Sequence, residues 1–324
     1  MQENNKPLLN IENLVVHYIT GKTVVRAVNG ISLKIEKGEA LGLVGETGAG
    51  KTTTAYSIMQ IIPNPPGKII SGNILFEGED LNRLSNQAMK KIRGNKISMI
   101  FQDPMTALNP VFGVGEQIAE GIRLHEKISK VQANVKAMEI MEKVGISAER
   151  FADYPHQFSG GMKQRIVIAI ALACHPALLI ADEPTTALDV TIQAQVLNLI
   201  QKLQKEMNTS LLLITHDLGV VTEVCQKAAI MYAGEIVEYG TLEHIYNNTR
   251  HPYTIGLFQS IPNFDESVRR LKPIQGMMSD PSNLPDGCYF APRCPHATDV
   301  CRRGKIPVVE VESGHLVKCL KCGN

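Results

Sequence analysis

Hydrophobic residues follow two different patterns along the chain. Short apolar runs between turn residues predict strands in residues 8–45, and the uninterrupted run LLIAD at 178–182 predicts a strand buried on both faces of a parallel sheet. Apolar residues three to four positions apart predict helices within 113–175, and further helices are predicted at 51–62 and 191–206. Because strands and helices alternate, the pattern favours an α/β fold.

The pattern changes near residue 245. Beyond it Pro, Gly, Asn and Cys become more frequent and the periodicity fades. The 324 residues are long for one compact domain. We therefore expect a main domain at 1–245 and an accessory extension at 246–324.

Charge and hydropathy exclude several classes of protein. The formal net charge is only +1, which argues against a general nucleic-acid binder. No run approaches the roughly 20 apolar residues that a membrane-spanning helix needs, and the start MQENNKP has neither the basic nor the apolar part of a signal peptide. We expect a cytoplasmic chain that reaches a membrane only through partners.

A complete phosphate-binding motif follows the third predicted strand. The segment from Gly45 to Thr52, GETGAGKT, fits G-x-x-x-x-G-K-[ST] and opens a predicted helix. Backbone N–H groups of such a loop point at phosphate oxygens, Lys51 is expected to reach the β- and γ-phosphates, and the Thr52 hydroxyl to bind Mg²⁺. The predicted ATP contacts are Gly45, Thr47, Gly48, Ala49, Gly50, Lys51, Thr52 and Thr53.

An acidic pair ends the buried run at 178–182. Asp182 and Glu183 follow four apolar residues, where charge is costly unless it faces a metal ion or a solvent cleft. Asp182 is expected to hold Mg²⁺ through water, and Glu183 to act as the general base for the attacking water. A simple helix cap at Glu183 is the alternative.

The segment FSGGMKQR at 158–165 resembles the signature of ATP-binding-cassette (ABC) ATPases. The resemblance spans about residues 8–245. It implies a P-loop fold with a RecA-like core, an antiparallel β subdomain and a helical subdomain inserted at about 103–172. It also implies that Ser159, Gly160 and Gly161 serve ATP held by an opposite cassette, so that two cassettes enclose two nucleotides.

The resemblance implies roles for four further residues. Tyr18 is similar to the family's adenine-stacking aromatic residue, and Gln102 to the residue that contacts Mg²⁺ and the attacking water. Asp189, in Ala187-Leu188-Asp189, is similar to the loop at the dimer interface, and His216 to the γ-phosphate sensor. The segment DPMTALNP after Gln102 would then contact membrane subunits.

The extension resembles that of ABC importers for dipeptides and oligopeptides. The resemblance begins at HPYT, residues 251–254, and continues with SIP at 260–262. Four cysteines follow with the spacing C-x5-C-x6-C-x17-C: Cys288, Cys294, Cys301 and Cys319. This spacing is wider than paired zinc knuckles and favours a [4Fe–4S] cluster, which the resemblance also implies; Zn²⁺ is the alternative, and Cys322 could replace Cys319.

The sequence therefore predicts an ATPase subunit, using ATP and Mg²⁺, that drives the import of short peptides. The expected partners are a second ABC ATPase subunit, two transmembrane permease subunits and an extracytoplasmic substrate-binding protein. The expected location is the cytoplasmic face of the cell membrane. The alternatives are the same motor importing nickel or another solute, a non-transport ABC ATPase, and an iron–sulfur sensor.

Overall fold

The computed structural model describes residues 6–186, 188–260 and 273–322. Its strands are β1 (Leu9–Thr20), β2 (Thr23–Ile35), β3 (Ala40–Val44), β4 (Gly67–Phe76), β5 (Glu79–Asp80), β6 (Ile97–Ile100), β7 (Leu178–Asp182), β8 (Ser210–Thr215), β9 (Lys227–Tyr232), β10 (Glu235–Thr241), β11 (Val309–Glu312) and β12 (His315–Val317). Its helices are α1 (Lys51–Met59), α2 (Asn86–Ile92), α3 (Pro104–Ala107), α4 (Val114–His125), α5 (Lys130–Lys143), α6 (Gly160–Leu172), α7 (Val190–Glu206), α8 (Leu218–Val224), α9 (Leu242–Asn247) and α10 (Pro252–Gln259). Among the described residues, none of these helices has the length and apolar character to cross a bilayer.

The first of two compact units contains the described residues within Met1–Leu8, Ile35–Ala40 and Asp80–Ile214. In it β6, β7 and β8 are parallel neighbours with β7 in the middle, and every residue of the three strands is buried. Burial on both faces explains why these strands are continuous apolar runs. The strand predicted at 178–182 is β7, residue for residue.

The segment between β6 and β7 contains α3, α4, α5 and α6 and no strand. The helix α5 begins with a capping box, in which the Ser129 side chain accepts the N–H of Gln132 and the Gln132 side chain accepts the N–H of Ser129. The segment that was predicted to be helical contains these four helices. The spacing of its apolar residues, three to four positions apart, explains why it folds as helices.

The second unit contains the described residues within Leu9–Lys34, Leu41–Glu79 and Thr215–Asn324. One of its sheets has the order β2-β1-β4-β5, with β1 antiparallel to β4. Its other strands have the order β11-β12-β10-β9-β3, with β3 parallel to β9 and the remaining pairs antiparallel. Residues after 308 thus add two strands to the edge formed by β10.

The hairpin between β9 and β10 turns at Ala233 and Gly234. Both residues have positive φ, 46° and 84°, which is the requirement of a two-residue type I′ turn. The helix α1 ends at Met59 rather than near the predicted residue 62, because Gln60 takes a left-handed φ of 51° and prolines follow.

A buried carboxylate fixes the start of α10 against β10 and β12. Glu238 accepts the backbone N–H groups of Arg250 at 2.8 Å and His251 at 3.1 Å. Its Oε1 also lies 2.9 Å from Nε2 of His315, and both side chains are fully buried. A carboxylate can be buried only when several hydrogen bonds replace its hydration, so this network holds the extension in place.

Candidate active site

The phosphate-binding loop joins β3 to α1 in the second unit. A Cβ on Gly45 would lie 2.2 Å from the carbonyl oxygen of Met231. A Cβ on Gly50 would lie 2.3 Å from the carbonyl oxygen of Ala27, and Gly50 has a φ of 103°. Only glycine fits both positions, so the loop sequence is dictated by backbone crowding as well as by phosphate binding.

Lys51 and Thr52 begin the helix that follows this loop. Lys51 is 5% exposed, and its Nζ donates to the carbonyl oxygens of Gly45 at 2.6 Å and Glu46 at 3.1 Å. Gly50 caps the helix without a side-chain hydrogen bond. The N–H groups of the first turn and the helix dipole are therefore directed at the loop, an arrangement that suits an anion.

Tyr18 lies beside the same helix, within the second unit. Its hydroxyl is 3.3 Å from Oγ1 of Thr53, and its side chain is half-buried near the end of β1. The ring is thus held next to the phosphate-binding segment. Its stacking on adenine stays a prediction.

The acidic pair and Gln102 come together in the first unit. Asp182 ends β7 and is 1% exposed. Glu183 follows with a φ of 46°, and its N–H donates to the carbonyl oxygen of Ile214 at 2.8 Å. Its carboxylate accepts hydrogen bonds from Nε2 of Gln102 and Oγ1 of Thr186, each at 3.0 Å. The carboxylate predicted to be the general base is therefore oriented by two polar side chains.

The signature turn opens α6 in the same unit. Ser159 is the N-cap residue and accepts the N–H of Met162 at 3.4 Å, with Gly160 and Gly161 in the first turn. Farther along this helix, the fully buried Gln164 donates through Nε2 to the carbonyl oxygen of Pro184 at 2.7 Å. This bond links α6 to the residue after Glu183. The sequence signal for this buried hydrogen bond is a polar residue, Gln164, just before the apolar run IVIAIAL.

Asp189 and His216 lie at the starts of two other helices. Asp189 caps α7 and accepts the N–H of Ile192 at 3.0 Å. His216 is exposed between β8 and Asp217, which caps α8. The predicted interface and sensor roles of these residues stay predictions, and Ala187 lies outside the described residues.

The four predicted cysteine ligands of the extension line one small cavity. Cys288, Cys294, Cys301 and Cys319 surround about 30 Å³ of space together with Phe290 and other residues. Cys322 instead directs its Sγ to the carbonyl oxygen of Arg250 at 3.7 Å. Yet the described residues contain no group of three or more His, Cys, Asp or Glu side chains placed to hold a metal ion. The described residues therefore do not support the prediction of a metal-binding extension, although the four cysteines line one cavity.

The cysteines around this cavity differ in acidity. Burial raises the pKa of Cys288 to about 11 and also raises the pKa of Cys294. A hydrogen bond with the Thr298 hydroxyl, 3.3 Å away, lowers the pKa of Cys301.

Sequence reasoning missed the contacts that join the phosphate loop to two residues of the extension. Glu46, inside the loop, forms an ion pair with Arg293, and its N–H donates to the hydroxyl of Tyr253. The motif leaves position 46 open, and nothing local in the sequence pairs it with a residue of the extension.

Comparisons with known proteins agree with this geometry. A family model described as ABC transporter matches residues 28–186, and one described as the C-terminal region of oligopeptide/dipeptide transporters matches residues 237–301. The chain is 49% identical over 314 residues to the oligopeptide transport ATP-binding protein AppD of Bacillus subtilis (strain 168), covering 96% of each chain. It is also 49% identical over 314 residues to the dipeptide transport ATP-binding protein DppD of the same organism, covering 96% of this chain and 94% of that protein.

A solved structure with a similar fold is the ATP-binding cassette MJ0796, described as a dimer in a post-hydrolysis state bound to ADP and Pi. The TM-score is 0.64 with 28% sequence identity, covering 72% of this chain and 98% of the other.

Proposed function

The chain belongs to the family of ATP-binding proteins of oligopeptide and dipeptide ABC transporters, and on that premise we propose that it hydrolyses ATP to drive the import of short peptides. The observation that carries the ATPase activity is the carboxylate of Glu183, held by Gln102 directly after the buried Asp182. The match of residues 237–301 to the C-terminal region of peptide transporters supports peptides as cargo.

The predicted site residues suit different parts of the reaction. Lys51 and the N–H groups of the phosphate loop bind and orient the triphosphate, and Tyr18 holds the adenine. The hydroxyl of Thr52 and the carboxylate of Asp182 are hard oxygen donors of the kind that Mg²⁺ prefers. Mg²⁺, when bound, neutralises charge on the phosphate oxygens.

Glu183 orients the attacking water and accepts its proton in this proposal, while Gln102 keeps the carboxylate in place and His216 contacts the γ-phosphate. Positioning and charge stabilisation supply most of the rate, because phosphoryl transfer needs little covalent chemistry from the protein.

The proposed assembly pairs this cassette with a second one, either a copy of itself or a similar chain. Ser159, Gly160, Gly161 and Asp189 then serve the nucleotide of the opposite cassette. The described dimer of the similar cassette MJ0796 supports such pairing. Two permease subunits bind at the segment after Gln102 on the cytoplasmic face of the membrane, and a substrate-binding protein delivers the peptide.

Uptake measurements in cells test the function and its cargo. Deleting the gene should abolish uptake of labelled di- and tripeptides, and the intact gene should restore it whereas Lys51→Ala should not. Peptide uptake that persists while nickel uptake is lost would show that the motor serves nickel. A deletion that changes no uptake at all would refute the transport function.

For the extension we propose that Cys288, Cys294, Cys301 and Cys319 hold a [4Fe–4S] cluster. Their convergence on one cavity supports it. The spacing of the four cysteines is wider than that of paired zinc knuckles, which favours a cluster over a single zinc ion. A cluster ties its four cysteines across a larger core, and when bound it would contribute folding energy to this loop-rich segment.

Anaerobic purification followed by iron and sulfide analysis tests the cluster. We expect four irons and four sulfides per chain as the composition of such a cluster requires, and lower resistance of the extension to urea in Cys294→Ser. Colourless protein with one zinc per chain would contradict the proposal.

A further inference from the structure

The second residue of the phosphate loop is a glutamate. In the ATP-binding function proposed above, on which this inference rests, the loop receives a triphosphate with several negative charges. The backbone N–H groups and Lys51 attract that anion, but the carboxylate of Glu46 repels it. The chain therefore needs a cation that neutralises Glu46 without occupying the phosphate position itself.

Arg293 of the extension meets this need. Its Nη1 donates to Oε2 of Glu46 at 2.8 Å, and its Nη2 donates to Oε1 at 3.1 Å, which makes a two-pronged ion pair within the second unit. Its Nε donates to the carbonyl oxygen of Gln275 at 3.1 Å, and Nη2 also lies 3.4 Å from that of Ile274. The side chain is 6% exposed. Each guanidinium nitrogen is thus used, and the fork has one fixed orientation.

Tyr253 holds the backbone of the same residue. Its hydroxyl accepts the N–H of Glu46 at 3.0 Å, and the ring is fully buried. The ring packs edge-on against Tyr232 with centroids 4.7 Å apart, and lies 5.4 Å from Phe290. Phe290 also lines the cavity of the four cysteines. The extension therefore contacts both the side chain of Glu46, through Arg293, and its backbone N–H, through Tyr253.

A third residue of the extension packs over the loop. The terminal methyl of Met278 lies 2.9 Å from the position that a Cβ on Gly48 would take. Residues 253, 278 and 293 thus contact the loop at two of its positions. These contacts come from a region that the phosphate-binding motif does not include.

We propose that Arg293 is a positioning residue of the nucleotide site, which neutralises Glu46 and, with Tyr253, fixes the phosphate loop in its binding conformation. The extension is then part of the ATP-binding machinery. The cysteine-lined cavity is connected to the loop through Phe290 and Tyr253 and through the peptide bond between Arg293 and Cys294.

A merely structural ion pair would behave differently. If Arg293 only attached the extension, its loss would lower stability and leave ATP affinity unchanged. If it neutralises Glu46, its loss leaves a carboxylate that repels the nucleotide, and removing that carboxylate as well restores binding. The double variant therefore separates the two roles.

The experiment measures binding of the slowly hydrolysed analogue AMP-PNP with Mg²⁺ by calorimetry, on the full chain. We expect Arg293→Gln to raise the Kd about tenfold, which corresponds to about 1.4 kcal/mol. Glu46→Gln combined with Arg293→Gln should return the Kd close to that of the wild type. The control is Arg303→Gln, because Arg303 is an exposed arginine of the same extension and should bind as the wild type does.

A Kd for Arg293→Gln equal to the wild-type value would overturn the proposal, and so would a double variant that binds as weakly as Arg293→Gln. If Arg293→Gln does not fold, the Kd values of the double variant and of Arg293→Lys test the proposal instead. The lysine keeps the charge but loses the fork, so it should bind between the wild type and the glutamine variant, and wild-type affinity would contradict the positioning role. A wild-type chain that fails to bind the analogue would refute the proposed ATPase function instead.

Discussion

Glu183 occupies a backbone conformation that side chains usually avoid. Its φ of 46° lies in the left-handed region, which costs roughly 1–3 kcal/mol for a residue other than glycine. Gln102 and Thr186 both donate to its carboxylate. Such strain persists when neighbouring contacts enforce it, and here it places a carboxylate directly after the buried strand β7.

Replacing Glu183 with Gln keeps the size of the side chain and removes the proposed general base. We expect ATP binding to be retained and turnover to fall at least about 100-fold, the lower end of what a general base contributes. Phosphate release and nucleotide calorimetry measure the two effects. Glu206→Gln, at the exposed end of α7, is the control, and wild-type turnover in Glu183→Gln would exclude Glu183 as the base.

Position 50 is restricted by its surroundings as much as by the motif. A methyl group on Gly50 would meet the carbonyl oxygen of Ala27 at 2.3 Å, and a φ of 103° is strained for alanine. Gly50→Ala should therefore abolish measurable ATP binding, assayed by calorimetry. Gly21→Ala is the control, because its Cβ would meet nothing within 4 Å although its φ of 59° is also positive; equal losses in both would mean that backbone strain alone is responsible.

At the scale of elements, one hydrogen bond joins the signature helix to the turn that carries Glu183. Gln164 of α6 is fully buried and donates to the carbonyl oxygen of Pro184, one residue after Glu183. A buried amide is costly unless it is satisfied, and of the Gln164 amide only Nε2 has a hydrogen-bond partner among the described residues. This bond therefore connects a change at α6 to the position of Glu183, the proposed general base.

We expect Gln164→Leu to lower the free energy of unfolding by about 1–3 kcal/mol, because the Pro184 carbonyl loses its buried partner. Turnover should fall together with stability, since the turn that carries Glu183 is no longer held. Urea unfolding and phosphate release measure these effects. Asn198→Leu on the exposed face of α7 is the control, and unchanged turnover in Gln164→Leu would show that the bond is only structural.

The start of α10 introduces a pH dependence of stability. His251 caps this helix by accepting the N–H of Tyr253 at Nδ1, 3.1 Å away. Burial lowers its pKa to about 3, whereas an unfolded histidine titrates near 6.5. Below pH 6.5 the unfolded chain binds a proton that the folded chain does not, so stability falls as the pH drops from 6.5 toward 3.

His251→Asn tests this dependence, because asparagine also caps helices but does not titrate. Between pH 7 and pH 5 the wild type should lose about 2 kcal/mol more stability than the variant, as follows from the two pKa values. Urea unfolding at both pH values measures the difference. Parallel losses in the two proteins would show that His251 is not the group responsible.

At the scale of the whole molecule, the predicted ABC cassette fold is confirmed by its likeness to solved cassettes. The strand β7 and the phosphate loop could be predicted because their signals are local: an apolar run, and glycines at fixed spacing. The cysteine spacing likewise predicted four residues that the fold brings to one cavity. The contact of Glu46 with Arg293 could not be predicted, because 247 residues separate the partners and neither stands out locally.

The proposed pairing of cassettes gives a prediction for the complete assembly. Ser159→Arg adds a long cation at the exposed signature turn, so this variant should bind ATP as a monomer but fail to pair and to hydrolyse it. Size-exclusion chromatography with ATP, in the Glu183→Gln background and with the partner chain present, measures the pairing. Formation of the pair despite Ser159→Arg would exclude this turn from the interface.

The ion pair between Glu46 and Arg293 also limits how such transporters exchange parts. A chimaera that joins residues 1–245 of this chain to the extension of a relative without an arginine at position 293 would carry an unneutralised carboxylate inside its phosphate loop. A cassette with a neutral residue at position 46 has no such charge, so it should bind nucleotide whether or not its extension carries an arginine at position 293. We therefore expect these two positions to change together when extensions are swapped, although one belongs to the general motor and the other to the part that marks peptide importers.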